Sequence, residues 1–105
     1  MSYTENYKGI KLDVQAVNMI IGETVKTEIR GILDRLSKHV TQINWASFHF
    51  EDKSAKSTDA KHVGIRLGIP GPDVFASDNG ENFMALLAHV EEKLRRQLEK
   101  RHKGE

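Results

Sequence analysis

The stretch VFASDNGENFMALLAHVEEKLRRQLEKRHK, residues 74–103, decides the fold, since it is predicted to contain a strand end, a bend and one long helix. Its apolar residues recur at intervals of three and four, the period of a helix with one buried face. Asp78 and Glu81 precede this repeat in a pattern that is typical of a capping box. The apolar stripe comprises Phe83, Leu87, Val90, Leu94 and Leu98.

The charges of this helix are sorted along its length. Residues 70–92 carry five acidic side chains and no Lys or Arg, whereas residues 93–103 carry six basic side chains and one acidic one. This order complements the helix macrodipole, so a solvated helix end is the plainer interpretation. A phosphate-binding edge is the functional alternative, because four cations share one flank away from the apolar stripe. These four are Lys93, Arg96, Lys100 and Lys103.

The amino-acid composition limits the classes of protein to which this chain can belong. With 105 residues, 38% of them hydrophobic, the chain is predicted to form one domain with a modest core. Its net charge of +1 means that any anion binding must come from segregated charge rather than from excess charge. The absence of cysteine excludes disulfides and thiolate metal sites and is typical of a reducing cytoplasm. We predict no signal peptide and no membrane span.

Periodicity predicts the element order β-α-β-β-β-α for a single domain over residues 10–103, preceded by a flexible arm over residues 1–9. A right-handed crossover makes the first two strands parallel, and short connections make the last three an antiparallel meander. The predicted class is α+β, a four-stranded sheet with two helices on one face. The predicted strands cover residues 10–16, 43–51, 61–69 and 74–77, the first helix covers 23–40, and a polar loop covers 52–60.

The other face of this sheet is predicted to be open, and its side chains admit two interpretations. Trp45 and Phe75 are suited to stacking RNA bases, or alternatively to bracing the sheet or contacting a protein. The absence of the RNP aromatic motif favours the second interpretation. His49 and His62 are predicted to be neighbours across a hairpin, but without further ligands they are expected to be surface residues rather than a zinc site.

Catalytic motifs find no match in the sequence. It contains no phosphate-binding loop, no Gly-x-Ser-x-Gly and no His-Glu-x-x-His. The run His89-Val90-Glu91-Glu92-Lys93 begins like the last of these but lacks the second histidine. We therefore predict no enzymatic activity, no cofactor, no metal and no small-molecule substrate.

The chain resembles the ribosome hibernation promoting factors, a family of ribosome-associated translation inhibitors also known as sigma-54 modulation proteins. The similarity covers about residues 10–103 and includes the first helix. It is carried by Ala76-Ser77, Gly80, the apolar helix, Lys93-Leu94, Arg96-Gln97-Leu98 and Lys100. Met84 stands where the family has tyrosine, Ala88 where it has aspartate, and Ile32 and Gln42 where some members are basic.

The resemblance implies a cytoplasmic, non-enzymatic protein that binds the small ribosomal subunit in the mRNA and tRNA channel during stress or stationary phase. It implies rRNA phosphate contacts by Lys26, Arg35, Lys93, Arg96 and Lys100. Further basic residues complete the expected contact set: Arg30, Lys38, Arg95, Arg101 and Lys103. The resemblance also implies a short form without a C-terminal dimerisation domain, which would use a second factor to pair ribosomes.

The residues also allow a function of another class. In this alternative the chain is a non-enzymatic protein-interaction or regulatory domain that uses the open sheet face around Trp45 and Phe75. The two hypotheses differ in which surface matters, the cations of the helices or the aromatic residues of the sheet.

Overall fold

Five strands and two α-helices build the described part of the protein. The computed structural model describes residues 2–53 and 60–103, with the backbone alone at 102 and 103, so most of the predicted loop over 52–60 lies outside the described residues. In chain order the elements are β1 (Ser2–Tyr7), β2 (Ile10–Val17), α1 (Glu23–Leu36), a 3-10 turn (Ser37–His39), β3 (Trp45–Asp52), β4 (Lys61–Gly68), β5 (Val74–Gly80) and α2 (Phe83–Lys103).

The strands form a single sheet in the order β1-β2-β3-β4-β5. Strands β2 and β3 are parallel, and every other neighbouring pair is antiparallel. The prediction of a four-stranded sheet was therefore wrong. The four predicted strands correspond to β2 to β5, and the parallel pair is the second and third strand of five.

Strand β1, predicted as part of a flexible arm, is the element that the pattern did not reveal. Its residues facing α1 are Tyr3, Glu5 and Tyr7, which are polar or amphipathic, so no apolar alternation marks the strand. A two-residue turn at Lys8 and Gly9, with φ of 51° and 86°, joins β1 to β2. Positive φ at both positions gives the twist that antiparallel hairpins require, and glycine adopts it without strain.

One hydrophobic core lies between the sheet and the two helices. Alternate residues of β2 to β5 face it, as predicted, and α1 and α2 cover it from the same side. Phe48 and Phe50 lie at its centre, fully buried with ring centroids 6.4 Å apart. Burial of one such large side chain contributes about 1.5–3 kcal/mol. Within residues 2–53 and 60–103, no helix covers the other face of the sheet.

The helix ends differ from the predicted ones. Helix α1 ends at Leu36, and the 3-10 turn follows where the prediction continued the α-helix to residue 40. Helix α2 begins at Phe83, where the Asn82 side-chain oxygen accepts a hydrogen bond from the Ala85 amide at 3.0 Å. The predicted capping box at Asp78 was wrong, because β5 continues to Gly80. Within the described ranges, neither helix is long and apolar enough to cross a membrane.

Candidate nucleic-acid interface

The two helices run in the same direction, so their C-terminal ends lie at one end of the molecule. Strand β5 is parallel to β2, since two antiparallel pairings separate it from β3, and each helix returns across the sheet after its strand. The 3-10 turn after α1 accordingly contacts α2. This arrangement brings together a set of cationic or titratable residues, here called the basic end: Lys38, His39, Lys100 and Arg101. Lys103 is the last residue of α2, and its side chain lies outside the described part.

A second group of cations, here called the basic flank, follows α2 beside the edge strand β5. It consists of Lys93, Arg96 and Lys100, at the helical spacing that places them on one side. Lys93 Nζ donates to the Ser77 carbonyl at 2.9 Å and lies 3.7 Å from Asp78. The Arg96 side chain is 71% exposed and reaches Glu92 at 3.2 Å. Lys93 therefore also supplies a hydrogen-bond donor to a backbone carbonyl on the open edge of β5.

The cations of α1 are engaged by other parts of the chain. Arg30 donates two hydrogen bonds of 2.9 Å to Glu5 of β1, and this contact lowers the pKa of Glu5 and raises that of Arg30. Lys26 lies 3.8 Å from Glu23 and 4.9 Å from the Tyr3 ring centre. Binding of phosphate by Lys26 or Arg30 would therefore require a change of partner.

Arg35 joins the two helices. Its guanidinium lies 2.7 Å from Glu91 of α2 and 2.7 Å from Glu28 of α1, and it packs over Gly31. The two hydrogen bonds to Glu91, and secondly the one to Glu28, raise the pKa of Arg35. This arrangement makes Arg35 a structural link as well as a predicted contact residue, which the sequence pattern did not indicate.

Arg95 is neutralised within α2. Its guanidinium hydrogen-bonds Glu92 and Glu99, one turn before and one turn after it on the helix. The contact with Arg95, with a further contribution from Arg96, lowers the pKa of Glu92 to about 2. Exposed pairs of this kind contribute little stability, but they reduce the charge that an incoming anion meets.

Three of the predicted contact residues have no ion pair with any residue in 2–53 or 60–103, namely Lys38, Lys100 and Arg101. Arg101 lines a groove of about 110 Å³ between the 3-10 turn and the β4–β5 connection, with His39, Thr41 and Pro70 among its walls. Its Nη1 atom is buried without a hydrogen-bond partner in the described chain. Among the predicted contact residues of the described chain, these three can meet a phosphate without losing an internal ion-pair partner.

The open sheet face carries further cations. Lys11 of β2 and Arg66 of β4 point away from the helices, and neither was among the predicted contact residues. The alternation of apolar and polar residues already placed Arg66 outward, so this signal was available in the sequence. His49 and His62 lie close together as predicted, with ring centroids 6.0 Å apart. No set of three metal-ligating side chains exists in the described ranges.

Comparison with known proteins places this arrangement in a family. Residues 12–104 match the family described as sigma 54 modulation protein / S30EA ribosomal protein. A relative from Acinetobacter guillouiae, named ribosome hibernation promoting factor, is 24% identical over 100 residues, covering 90% of this chain and 88% of the relative. Strand β1 lies outside the matched residues.

Solved structures share the fold. The N-terminal domain of Protein Y from Thermus thermophilus superposes with a TM-score of 0.74 at 16% identity, over 88% of this chain and 97% of that one. A ribosomal subunit interface protein from Coxiella burnetii gives a TM-score of 0.65 at 14% identity, over 90% of this chain and 98% of that one. The resemblance inferred from sequence is confirmed: the chain belongs to the sigma 54 modulation protein / S30EA ribosomal protein family.

Proposed function

We propose that this protein is a cytoplasmic ribosome hibernation factor that inhibits translation by binding the small ribosomal subunit in the channel for mRNA and tRNA. The observation that carries the proposal is the family match over residues 12–104, which spans both helices and their cations. In this proposal the protein performs no chemistry and needs no cofactor, because occupancy of a shared site is sufficient for inhibition.

The basic flank and the basic end are the proposed contact surfaces. Lysine and arginine on rigid helices neutralise phosphates without reading base sequence, which suits a folded rRNA surface. Lys38, Lys100 and Arg101 have no internal ion pair among the described residues, so we assign them the first contacts. Lys93 and Arg96 join them, while Lys26, Arg30, Arg35 and Arg95 would exchange an internal carboxylate for a phosphate. Lys103 extends the same surface by its position in α2.

The test is sedimentation of the purified protein with small subunits, large subunits and whole ribosomes, over a series of salt concentrations. We expect co-sedimentation with the small subunit that weakens steeply as salt rises. Prior loading of the channel with mRNA and tRNA should reduce it. Binding only to the large subunit, or binding unaffected by a loaded channel, would contradict occlusion.

Charge-reversal variants locate the surface. Lys100→Glu is the most direct variant, because no internal ion pair is lost in the described structure, and Lys93→Glu with Arg96→Glu tests the rest of the basic flank. Lys53→Glu is the matched control, because Lys53 is an exposed lysine that follows β3, at the end of the molecule away from the basic end. Ribosome binding should fall for the first two proteins and not for the control. Equal binding by all of them would refute the assignment of the surface.

A further inference from the structure

The open sheet face carries two aromatic rings that lie against glycine residues of β4. Gly64 and Gly68 of β4 both point to this face. The Trp45 indole lies directly across Gly68, since a Cβ atom at position 68 would lie 2.0 Å from the indole nitrogen. The Phe75 ring borders Gly64, where an added Cβ would be 3.5 Å from it. The two glycines therefore allow the rings to lie along the sheet, with Phe75 45% exposed.

Both aromatic residues have a cationic neighbour. The Arg66 guanidinium lies over the Phe75 ring, with its carbon 4.7 Å from the ring centre. Lys11 is exposed and is the direct neighbour of Trp45 in the β2–β3 register. Neither cation forms an ion pair with a residue in 2–53 or 60–103, so both are available to an anionic ligand. An aromatic face next to an unpaired cation is the combination that binds a base and its phosphate.

Strand β1 extends this face as an edge strand of the sheet. Together with β2 and β3 it lines an open groove of about 690 Å³, a volume in the range of small-ligand sites. Its polar and aromatic lining comprises Thr4, Glu5, Asn6, Lys11, Asp13, Trp45 and Ser47. These side chains offer hydrogen-bond donors and acceptors around one aromatic ring. Because β1 lies outside residues 12–104, part of this groove is built by residues beyond the family match.

We propose that the open sheet face binds single-stranded RNA, with one base stacked on Trp45 in the β1–β3 groove and another on Phe75 and Arg66. From strand spacing and residue rise, the backbone positions of Trp45 and Phe75 are roughly 12 Å apart. Bases on the two rings are therefore splayed apart, which is how aromatic side chains recognise unpaired RNA. Paired bases cannot offer their faces in this way.

This surface is separate from the proposed ribosome-binding surface. The helices and the basic flank lie on the opposite face of the sheet, so the two sites do not share residues. RNA binding by the open face can therefore be tested without ribosomes, and it does not depend on the proposed function. Among the exposed large apolar residues in the described chain, only Phe75 and Val17 belong to this face, too few for the apolar centre of a stable protein interface.

Fluorescence provides the experiment, since Trp45 is the only tryptophan of the chain. Short fluorescein-labelled oligouridine and oligoadenosine RNAs are titrated with the full chain at low salt, followed by anisotropy of the label. Tryptophan emission of the protein is measured with unlabelled RNA. We expect saturable binding, quenching of Trp45 at the same midpoint, and weak competition by an RNA duplex. Absence of binding, or equal competition by the duplex, would overturn the proposal.

Variants separate stacking from simple charge attraction. Phe75→Ala and Trp45→Ala should each weaken oligonucleotide binding roughly tenfold or more, and Trp45→Phe should retain most of it. Met84→Ala is the matched control, because Met84 is similarly exposed but lies on α2. Arg66→Gln tests the same site if a ring deletion impairs folding, as judged by circular dichroism. If Lys100→Glu abolished binding and the ring variants did not, the helices would be the RNA site and the proposal would be wrong.

The same variants distinguish this inference from the proposed function. Ribosome sedimentation of Phe75→Ala and Trp45→Phe should equal that of the unchanged protein, while Lys100→Glu should weaken ribosome binding and keep oligonucleotide binding. If a protein ligand rather than RNA occupied the open face, the ring variants would leave RNA titrations unchanged, and that result overturns the proposal.

Discussion

Arg35 on α1 hydrogen-bonds Glu91 on α2 through two nitrogens, with Nε at 2.7 Å and Nη2 at 2.9 Å from the two carboxylate oxygens. Glu91 is only 18% exposed at its side chain, so this ion pair is partly shielded from water. The two residues are 56 positions apart in the chain. A predicted rRNA contact is thus also the bridge between the two helices.

The bridge should contribute measurable stability. A double-mutant cycle with Arg35→Met and Glu91→Gln should give a coupling free energy of about 1 kcal/mol, since bidentate, partly shielded pairs lie at the upper end for surface pairs. Urea unfolding of the four proteins measures it. The cycle Arg96→Met with Glu92→Gln, on the exposed side of α2, is the control and should show weaker coupling. A coupling of zero for the first cycle would mean that the bridge does not stabilise the helix pair.

If Arg35 contacts an rRNA phosphate, removal of its ion pair with Glu91 should alter ribosome binding. In Glu91→Gln the guanidinium loses its main carboxylate, so the cost of exchanging partners falls and small-subunit binding should strengthen. Glu81→Gln removes an exposed carboxylate that pairs with no cation in the described ranges, and it serves as the comparison. Sedimentation at several salt concentrations measures both. Unchanged or weaker binding by Glu91→Gln would assign Arg35 a purely structural role.

Lys100 should account for one counterion in the salt dependence. For ribosome binding, Lys100→Gln should reduce the slope of log affinity against log salt by roughly 0.7 to 0.9, the value for one lost phosphate contact. Lys53→Gln should leave the slope unchanged. The measurement is small-subunit affinity over a salt series for the three proteins. The same slope for Lys100→Gln and the unchanged protein would remove Lys100 from the interface.

Attachment of β1 to α1 should weaken in acid. The hydrogen bond from Arg30 lowers the pKa of Glu5 below 4.5, and those from Lys8 and Tyr7 lower the pKa of Asp34 below 3.8. A carboxylate with a lowered folded-state pKa contributes stability that is complete above its unfolded pKa and lost as the pH falls through its folded pKa. The contribution should therefore decline from about pH 5 towards pH 2.

Glu5→Gln and Asp34→Asn measure this decline. Both variants should have a lower free energy of unfolding than the unchanged protein near neutral pH, and the difference should shrink as the pH falls from about 5 towards 2. Glu81→Gln, an exposed carboxylate without a partner in the described residues, should show no such trend. A deficit that persists undiminished in acid would show that these carboxylates do not hold β1 through their charge.

Gly68 and Gly64 should respond differently to a methyl group. Gly68→Ala places Cβ 2.0 Å from the Trp45 indole nitrogen, so the ring must move, at a cost of about 1–3 kcal/mol. The emission maximum of Trp45 should shift as its environment changes. Gly64→Ala meets Phe75 at 3.5 Å, an ordinary contact, and should be nearly neutral. Identical emission and stability in Gly68→Ala would show that the position of the Trp45 indole does not depend on glycine at residue 68.

Local periodicity predicted the elements correctly where buried residues recur at a regular interval along the chain. The stripe of α2 and the alternation in β2 to β5 predicted the core, with Phe48, Leu94 and Leu98 among its fully buried residues. The same periodicity missed β1, because the side chains that hold it are Tyr3, Glu5 and Tyr7 rather than aliphatic residues. It also misplaced the start of α2, because Asp78 and Glu81 mimic a capping box while Asn82 is the residue that caps.

The sequence by itself therefore determined the family, the two amphipathic helices and which face of β2 to β5 is buried, since these properties follow from residue type and spacing. Only the tertiary structure decided the fifth strand and which cations are available. Arg30 meets Glu5 across 25 positions and Arg35 meets Glu91 across 56, whereas Lys100 meets no carboxylate in the described ranges. The physical reason is that ion pairing depends on distance in space, and folding sets that distance independently of any local period.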